Sequence, residues 1–230
     1  MISIIIPAYN ESEIIERLVK HLLQQAPKGK VEVIVSDGGS KDSTLLNASK
    51  AGAKALLSPQ KGRAVQMNYG ASFAKGDILY FVHADTLPPE SYYEDILKAV
   101  ASRYDAGRYI MRFDTRKWYL RFNEFFTRFD WFICYGGDQT LYVTRKFFDK
   151  TEGFNGEMQI MEDYDFTLRL RKAGSRYKIF KKSVLISDRK YNMNSWWQVQ
   201  RANSRIVSMY KKGVSQEDMT STYKQMLNYR

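Results

Sequence analysis

Asp77-Ile78-Leu79-Tyr80-Phe81-Val82-His83-Ala84-Asp85-Thr86 is the stretch that decides the fold class. Ile78 to Val82 are consecutive apolar or aromatic residues, closed by His83, Ala84 and Asp85. A run this short and this apolar reads as a strand buried on both faces, which places it centrally in a parallel sheet and not at a solvated edge. In open α/β sheets the ligand crevice lies outside the carboxyl ends of the strands. His83 and Asp85 would then stand at that rim, on a rigid element. Asp85 reads equally well as a cap for the helix after Pro88-Pro89.

Upstream of this strand the pattern repeats. Ile2 to Ile6 form an apolar run ended by Pro7. Asn10 and Glu13 then have capping-box spacing, and Ile15, Leu18, Val19 and Leu22 follow at helical period, predicting a helix over residues 12–25. A strand over 31–36 ends at Asp37-Gly38-Gly39-Ser40, a helix over 41–51 stops at Gly52, and a short strand at 55–57 precedes a helix over 62–74. Four strand–helix units predict an α/β, doubly wound, Rossmann-like and mostly parallel central sheet flanked by helices. Asp37, Asp85 and the Pro7-Ala8-Tyr9-Asn10-Glu11 turn all fall at strand tips on one rim. A dinucleotide site is excluded by spacing: no Gly-x-Gly-x-x-Gly follows the first strand, and Gly38-Gly39-Ser40 lacks the P-loop lysine pattern.

Downstream, residues 89–101 read as a helix and 107–113 as a strand. Residues 117–132 read as a helix carrying Trp118, Tyr119, Phe122, Phe125, Phe126, Phe129, Trp131 and Phe132. That is too many rings for one narrow core stripe, so this helix packs on two sides or offers a surface to something apolar. A strand over 140–144, a helix from Glu162 to Ala173, a strand over 184–187 and a long basic helix over 194–212 complete the chain.

The 230 residues suffice for one large domain, and no apolar run reaches the roughly 20 residues of a membrane span. No charged leader precedes the first strand, and a single cysteine, Cys134, excludes an internal disulfide; both fit a reducing, cytoplasmic setting. The net charge of +11 is uneven. Residues 1–168 carry 21 Lys/Arg against 22 Asp/Glu, whereas residues 169–230 carry 15 against 3. A basic tail of this kind suits a polyanionic partner, namely nucleotide phosphates, an anionic membrane or nucleic acid, or is simply a solvated helical surface.

Taken together, the motifs resemble family 2 GT-A glycosyltransferases. Ile4-Ile5-Ile6-Pro7-Ala8-Tyr9-Asn10-Glu11 and Val35-Ser36-Asp37-Gly38-Gly39-Ser40 match the opening of that family. Gly62-Arg63-Ala64, Asn68-Tyr69-Gly70-Ala71 and Ala74-Lys75-Gly76-Asp77 continue it in order. His83-Ala84-Asp85 stands where the family keeps Asp-x-Asp, and Glu162-Asp163-Tyr164-Asp165 looks like its later acidic motif. The His-Ala-Asp and Gly-Asp-Gln variants look most like a small soluble subgroup linked to arsenosugar or selenium-associated gene sets.

The resemblance implies a GT-A domain over residues 1–190 and a helical, basic C-terminal extension over 191–230. It implies inverting sugar transfer from a UDP-sugar or GDP-sugar to a hydroxyl acceptor. Pro7, Ala8, Tyr9, Glu11, Asp37, Arg63, His83, Ala84 and Asp85 would bind the nucleotide, and Asp85 would hold Mn²⁺ or Mg²⁺. His83 replaces the usual first aspartate, which loosens the expected metal dependence. Asp163 would be the base, with Glu162 beside it; acidic residues also favour helix starts for dipole reasons alone. Gly137, Asp138 and Gln139 would meet the acceptor or donor sugar, and Arg189 the diphosphate. The competing reading is a non-catalytic protein whose aromatic helix and basic tail bind membrane or nucleic acid. Carboxylates at strand tips serve no polyanion binder, so nucleic acid is not expected as partner. A peripheral membrane contact through the tail and a homo-oligomer both stay open. A sugar nucleotidyltransferase would need a Gly-rich, Arg/Lys signature near the N-terminus that is absent here.

Overall fold

A computed structural model describes residues 1–135 and 139–228. The chain runs β1 (Ile2–Ala8), α1 (Ile15–Gln24), β2 (Val31–Asp37), α2 (Thr44–Lys50), β3 (Lys54–Leu57), α3 (Arg63–Ser72) and β4 (Ile78–Phe81). Next come β5 (Thr86–Leu87), α4 (Tyr92–Ala101), β6 (Ala106–Phe113), α5 (Leu120–Phe126), a 3₁₀ turn at Phe132–Cys134, β7 (Leu141–Thr144) and α6 (Arg145–Lys150). The last elements are α7 (Glu162–Lys172), β8 (Tyr177–Ile186), α8 (Arg189–Met193), α9 (Trp196–Lys211) and α10 (Gln216–Met226).

The strands form one sheet in the order β3-β2-β1-β4-β7-β6-β8-β5. β1 pairs in parallel with β2 and β4, β2 with β3, and β6 with β8; β7 runs antiparallel to both β4 and β6, as β5 does to β8. The opening strand is central and fully buried, as its composition requires, but only its β1 side is parallel. A continuous apolar run reports burial of both faces and is silent on the direction of the neighbours.

Alternation along the strands divides the core. Ile2, Ile4 and Ile6 of β1, with Ile78 and Tyr80 of β4, face α1, α2 and α4. Ile5, Leu79 and Phe81 face α3, α6 and α7 on the other side. Side chains of period two make both layers from the same two strands. At Gly70 a Cβ would come within 2.6 Å of Ile5 Cγ2, so only glycine lets α3 lie this close on β1.

The sheet curls, and the curl positions the site. Five residues separate Phe81 from Thr86 and reach at most ~17 Å. Four strand steps separate β4 from β5 in the sheet, about 19 Å if it were flat. His83-Ala84-Asp85 bridges this gap: the Val82 N–H donates to Ile5 O at 3.0 Å, and the Ser187 N–H to Asp85 O at 3.2 Å.

Three local expectations are corrected. Asn10 does not cap α1; it adopts φ 55°, its Oδ1 accepts the Lys41 N–H at 2.9 Å and its N–H donates to Ser40 Oγ at 2.8 Å. The turn thus ties β1 to the β2 loop, and α1 begins only at Ile15. The helix expected over 117–132 is confined to Leu120–Phe126. β8 is longer than the strand expected over 184–187, because Lys181 and Lys182 form an irregularity in its pairing with β6 and obscure the alternation. α10 lies inside residues 191–230, and Ser215 Oγ accepts the Asp218 N–H as its N-cap.

Candidate active site

The parallel register of β1 and β2 sets Ala8 opposite Asp37, so two of the three polar tips share a rim. Asp37 is 1% exposed. Its Oδ1 accepts the N–H groups of Gly39 (2.8 Å) and Ser40 (2.7 Å), while Oδ2 is buried with no partner among the described residues. One oxygen therefore does the turn-capping work and the other faces no protein donor. Ala8 is buried, and its carbonyl accepts the Gly38 N–H at 2.9 Å. Lys61 Nζ lies 3.5 Å from the centre of the Tyr9 ring, a cation–π contact that brings a basic loop over the β1 turn.

Gln66 holds these loops together. It is buried on α3; its Nε2 donates to Ala8 O (2.8 Å) and Ser36 O (2.7 Å), and its Oε1 accepts the Gly62 N–H at 3.3 Å. Gly38 is needed beside it, since a Cβ there would meet Gln66 Oε1 at 2.9 Å. The sequence reading passed over Gln66; the signal was a polar residue among Ala64, Met67, Gly70 and Ala71, the buried positions of that helix.

Two charged clusters meet at the His83-Ala84-Asp85 bridge. In the first, the Arg189 guanidinium donates to both Glu11 oxygens at 3.0 Å, and its Nη2 lies 3.7 Å from Asp85 Oδ2. The Glu11 hydrogen bonds are the main cause that raises the Arg189 pKa. Glu11 and Arg189, expected separately at the nucleoside and the diphosphate, form a bidentate pair.

In the second cluster the start of α7 faces the bridge. Asp163 Oδ2 lies 3.8 Å from His83 Nε2, and Arg63 Nη1 3.5 Å from Glu162 Oε1. Glu162 is 3% exposed. Burial, then the neighbouring Asp163 charge, raises its pKa, against the lowering effect of Arg63. Met161, which leads into the pair, has φ 68°. A bulky residue held left-handed is strained, and such strain collects where a structure over-determines a functional geometry.

Ala84 is buried between His83 and Asp85 of the bridge. Gln139 is buried, donates from Nε2 to Cys134 O at 3.1 Å, and accepts from Arg108 Nη1. Gly137 and Asp138 lie outside the described residues. Arg108, also missed from the sequence, is 2% exposed and donates to Thr127 O (2.8 Å) and Phe129 O (3.0 Å). Among the described residues no group of three His, Cys, Asp or Glu forms a self-sufficient metal site.

Residues 3–180 match the model of glycosyl transferase family 2. An uncharacterized glycosyltransferase of Mycobacterium tuberculosis (strain H37Rv) is 36% identical over 86 residues, which is 36% of this chain and 33% of that protein, so the matched stretch spans about a third of the relative's length. Among solved structures, the mannosyltransferase PcManGT from Pyrobaculum calidifontis, in complex with GDP-Man and Mn²⁺, superimposes with a TM-score of 0.69 at 21% identity, covering 92% of this chain and 63% of that one. Glucosyl-3-phosphoglycerate synthase from Mycobacterium tuberculosis, in complex with Mg²⁺ and UDP, gives 0.66 at 16% identity, covering 93% and 80%. At these identities the likeness is one of fold, and it is the α/β architecture expected from the strand–helix pattern. The family match runs from the first strand through the strand tips and the acidic start of α7 into β8: the chain belongs to glycosyl transferase family 2.

Proposed function

We propose that the protein transfers a sugar from a nucleoside diphosphate donor to a hydroxyl acceptor, with inversion at the anomeric carbon and with Mn²⁺ or Mg²⁺ assistance. The observation that carries this reading is the facing of His83, on the bridge with Asp85, by Asp163 at the start of α7. A diphosphate-holding point and a proton acceptor on opposite sides of one cleft are what an inverting displacement needs. Nucleotide and metal complexes of the two structural neighbours support the donor class and the ion. The His83-Ala84-Asp85 variant supports placing the chain in the small subgroup linked to arsenosugar or selenium-associated gene sets.

The residues present fit a hard divalent ion, which needs only one or two protein carboxylates beside phosphate oxygens. Asp85, with His83 next to it, would hold the ion. When bound, the ion takes up charge on the departing diphosphate. Asp37 Oδ2, buried without a donor among the described residues, suits an N–H of the base or a ribose hydroxyl. Pro7, Ala8, Tyr9 and Glu11 line the same turn, and Arg63 and Arg189 supply positive charge where the diphosphate leaves. The acceptor oxygen attacks the anomeric carbon opposite the diphosphate; the new C–O bond forms as the old one to phosphate breaks, and Asp163 takes the hydroxyl proton. Glu162, with its raised pKa, limits the negative charge beside Asp163. Gln139, bonded by Arg108, would meet the acceptor or donor sugar, with Gly137 and Asp138 beside it by the family resemblance. Residues 1–190 form the transferase unit in this reading, with 191–230 packed on it.

A thermal shift tests the donor half. UDP or GDP with Mn²⁺ at 100 times Kd stabilises the protein by about 2.7 kcal/mol through linkage. Asp85→Asn removes the Mn²⁺-dependent part of that shift. If no nucleoside diphosphate with Mn²⁺ moves the Tm of the parent protein, the donor reading is wrong.

A further inference from the structure

The aromatic segment and the basic tail, which the transfer reaction does not use, come together in space. Trp196 and Trp197 meet with ring centroids 4.6 Å apart, Trp196 meets Phe122 at 6.2 Å, Phe122 meets Phe126 at 4.8 Å, and Phe126 meets Trp131 at 6.1 Å. This continuous chain of rings joins α9 to α5 across more than 60 residues of sequence. Trp196 is the structural member: it is half-buried, and its Nε1 donates to Asn123 Oδ1 at 3.1 Å. Its neighbour Trp197 is 77% exposed, as are Trp118 (78%) and Phe122 (58%) along the α5 segment. The rings are held firmly, since buried Arg108 gathers the carbonyls of Thr127 and Phe129 from below.

Positive charge accompanies the rings. Arg201 and Arg205 follow Trp197 at successive i+4 positions of α9 and share a surface concavity with it. Arg121 and Arg128 are exposed beside the α5 rings. α9 contains no Asp or Glu. In the α5 segment, Glu124 accepts the Phe113 N–H and Asp130 is paired with Arg171.

We infer that this aromatic and basic ridge docks the protein on an anionic phospholipid surface. Monomers rarely leave contiguous large rings in water without a partner. Trp and Phe settle at the headgroup boundary, where an apolar body and a polar edge are both satisfied, and arginines draw such a face to anionic headgroups. A second copy of the chain is a poorer occupant, because a two-fold interface would bring the same arginines face to face. Nucleic acid needs open ring faces on which bases stack. Here Phe122 and Phe126, and Phe125 and Phe126, meet edge to face at 70° and 84°, so these rings offer no row of parallel faces to successive bases. No helix among the described residues is long and apolar enough to cross a membrane, so the contact is one of lying on the surface. Docking of this kind uses none of the strand-tip carboxylates and stands apart from the transferase reading.

Co-sedimentation of the full chain with phosphatidylcholine vesicles, with and without phosphatidylglycerol, tests this. The parent binds the phosphatidylglycerol vesicles and releases them as salt rises. The triple variant Trp118→Ser, Phe122→Ser, Trp197→Ser loses at least about tenfold in vesicle affinity, with its thermal shift by nucleotide and Mn²⁺ unchanged. A second variant, Arg201→Gln with Arg205→Gln, keeps the rings and loses the preference for phosphatidylglycerol. Equal sedimentation of parent and triple variant overturns the inference. So does a parent that ignores both vesicle types, dimerises in solution through these rings, or binds single-stranded RNA more tightly than vesicles.

Discussion

The β1–β4 half of the molecule and the segment from β6 to β7 are held in shape by different means. In the first, parallel strands fix the β1 and β2 tips by backbone ladders, and Asn10 and Gln66 tie the loops between them. In the second, a helix of about two turns and an irregular aromatic stretch hang on side chains: buried Arg108 gathers the Thr127 and Phe129 carbonyls, and Thr127 Oγ1 and Glu124 Oε1 accept the Met111 and Phe113 N–H groups. Thr127 shows the difference. Its Oγ1 donates to Glu124 O at 2.7 Å and accepts the Met111 N–H at 3.1 Å, so its side chain competes with helical bonding. Its carbonyl goes to Arg108, and the next N–H groups fall back on i−3 carbonyls. Sheet-borne geometry is redundant; geometry hung on a few side chains is less so.

The strongest way to break this contrast is Arg108→Leu. It strands three buried acceptors, at about 1 kcal/mol or more each, so a loss of about 3 kcal/mol is expected. For a chain of this size that is roughly 6–12 °C in Tm. Hydrogen exchange should rise across residues 113–135 and stay slow in β1, β2 and β4. Faster exchange throughout the central sheet would show that the two halves are not separable.

Gln66→Leu makes the corresponding cut in the sheet-borne half. Two buried carbonyls, Ala8 O and Ser36 O, lose their common donor. The expected cost is about 2 kcal/mol, together with weaker nucleoside diphosphate binding measured by calorimetry. Unaltered affinity would mean that the ladder alone positions the strand tips.

The smallest effect separates the acidic pair by pH. Burial raises the Glu162 pKa, so the folded protein retains a proton that the unfolded chain releases near the ordinary value of about 4.3. The ionisation cost is absent below that value and grows as pH rises toward the folded pKa. Glu162→Gln therefore raises Tm by a few degrees at pH 8 and leaves it nearly unchanged at pH 4. The opposite trend would place the buried carboxyl in its charged form.

The sheet-borne half was legible in the sequence because its signals are local. Apolar runs of strand length, glycine stops and polar residues at run ends locate Asp37, His83 and Asp85 without tertiary information. Even there, Asn10 misled, since a good capping residue also makes a good inter-loop tie. The direction of β7 was hidden because burial pattern carries no polarity. In the other half, the length of the aromatic helix depends on where Arg108 points, a contact between residues about 20 positions apart. Charged residues buried in a strand do not announce themselves by periodicity. Gln139 illustrates the same limit: its bond from Arg108, 31 positions away, leaves no mark on the local pattern.

In the proposed transfer Asp163, whose Oδ2 lies 3.8 Å from His83 Nε2, takes the acceptor proton. Single-turnover transfer by Asp163→Asn, measured beside calorimetric binding of the nucleoside diphosphate with Mn²⁺, tests it most directly. Loss of about 10²–10⁴ in the rate of transfer, with nucleotide affinity preserved, is the predicted result. Transfer at the parent's rate with the carboxylate gone would contradict it.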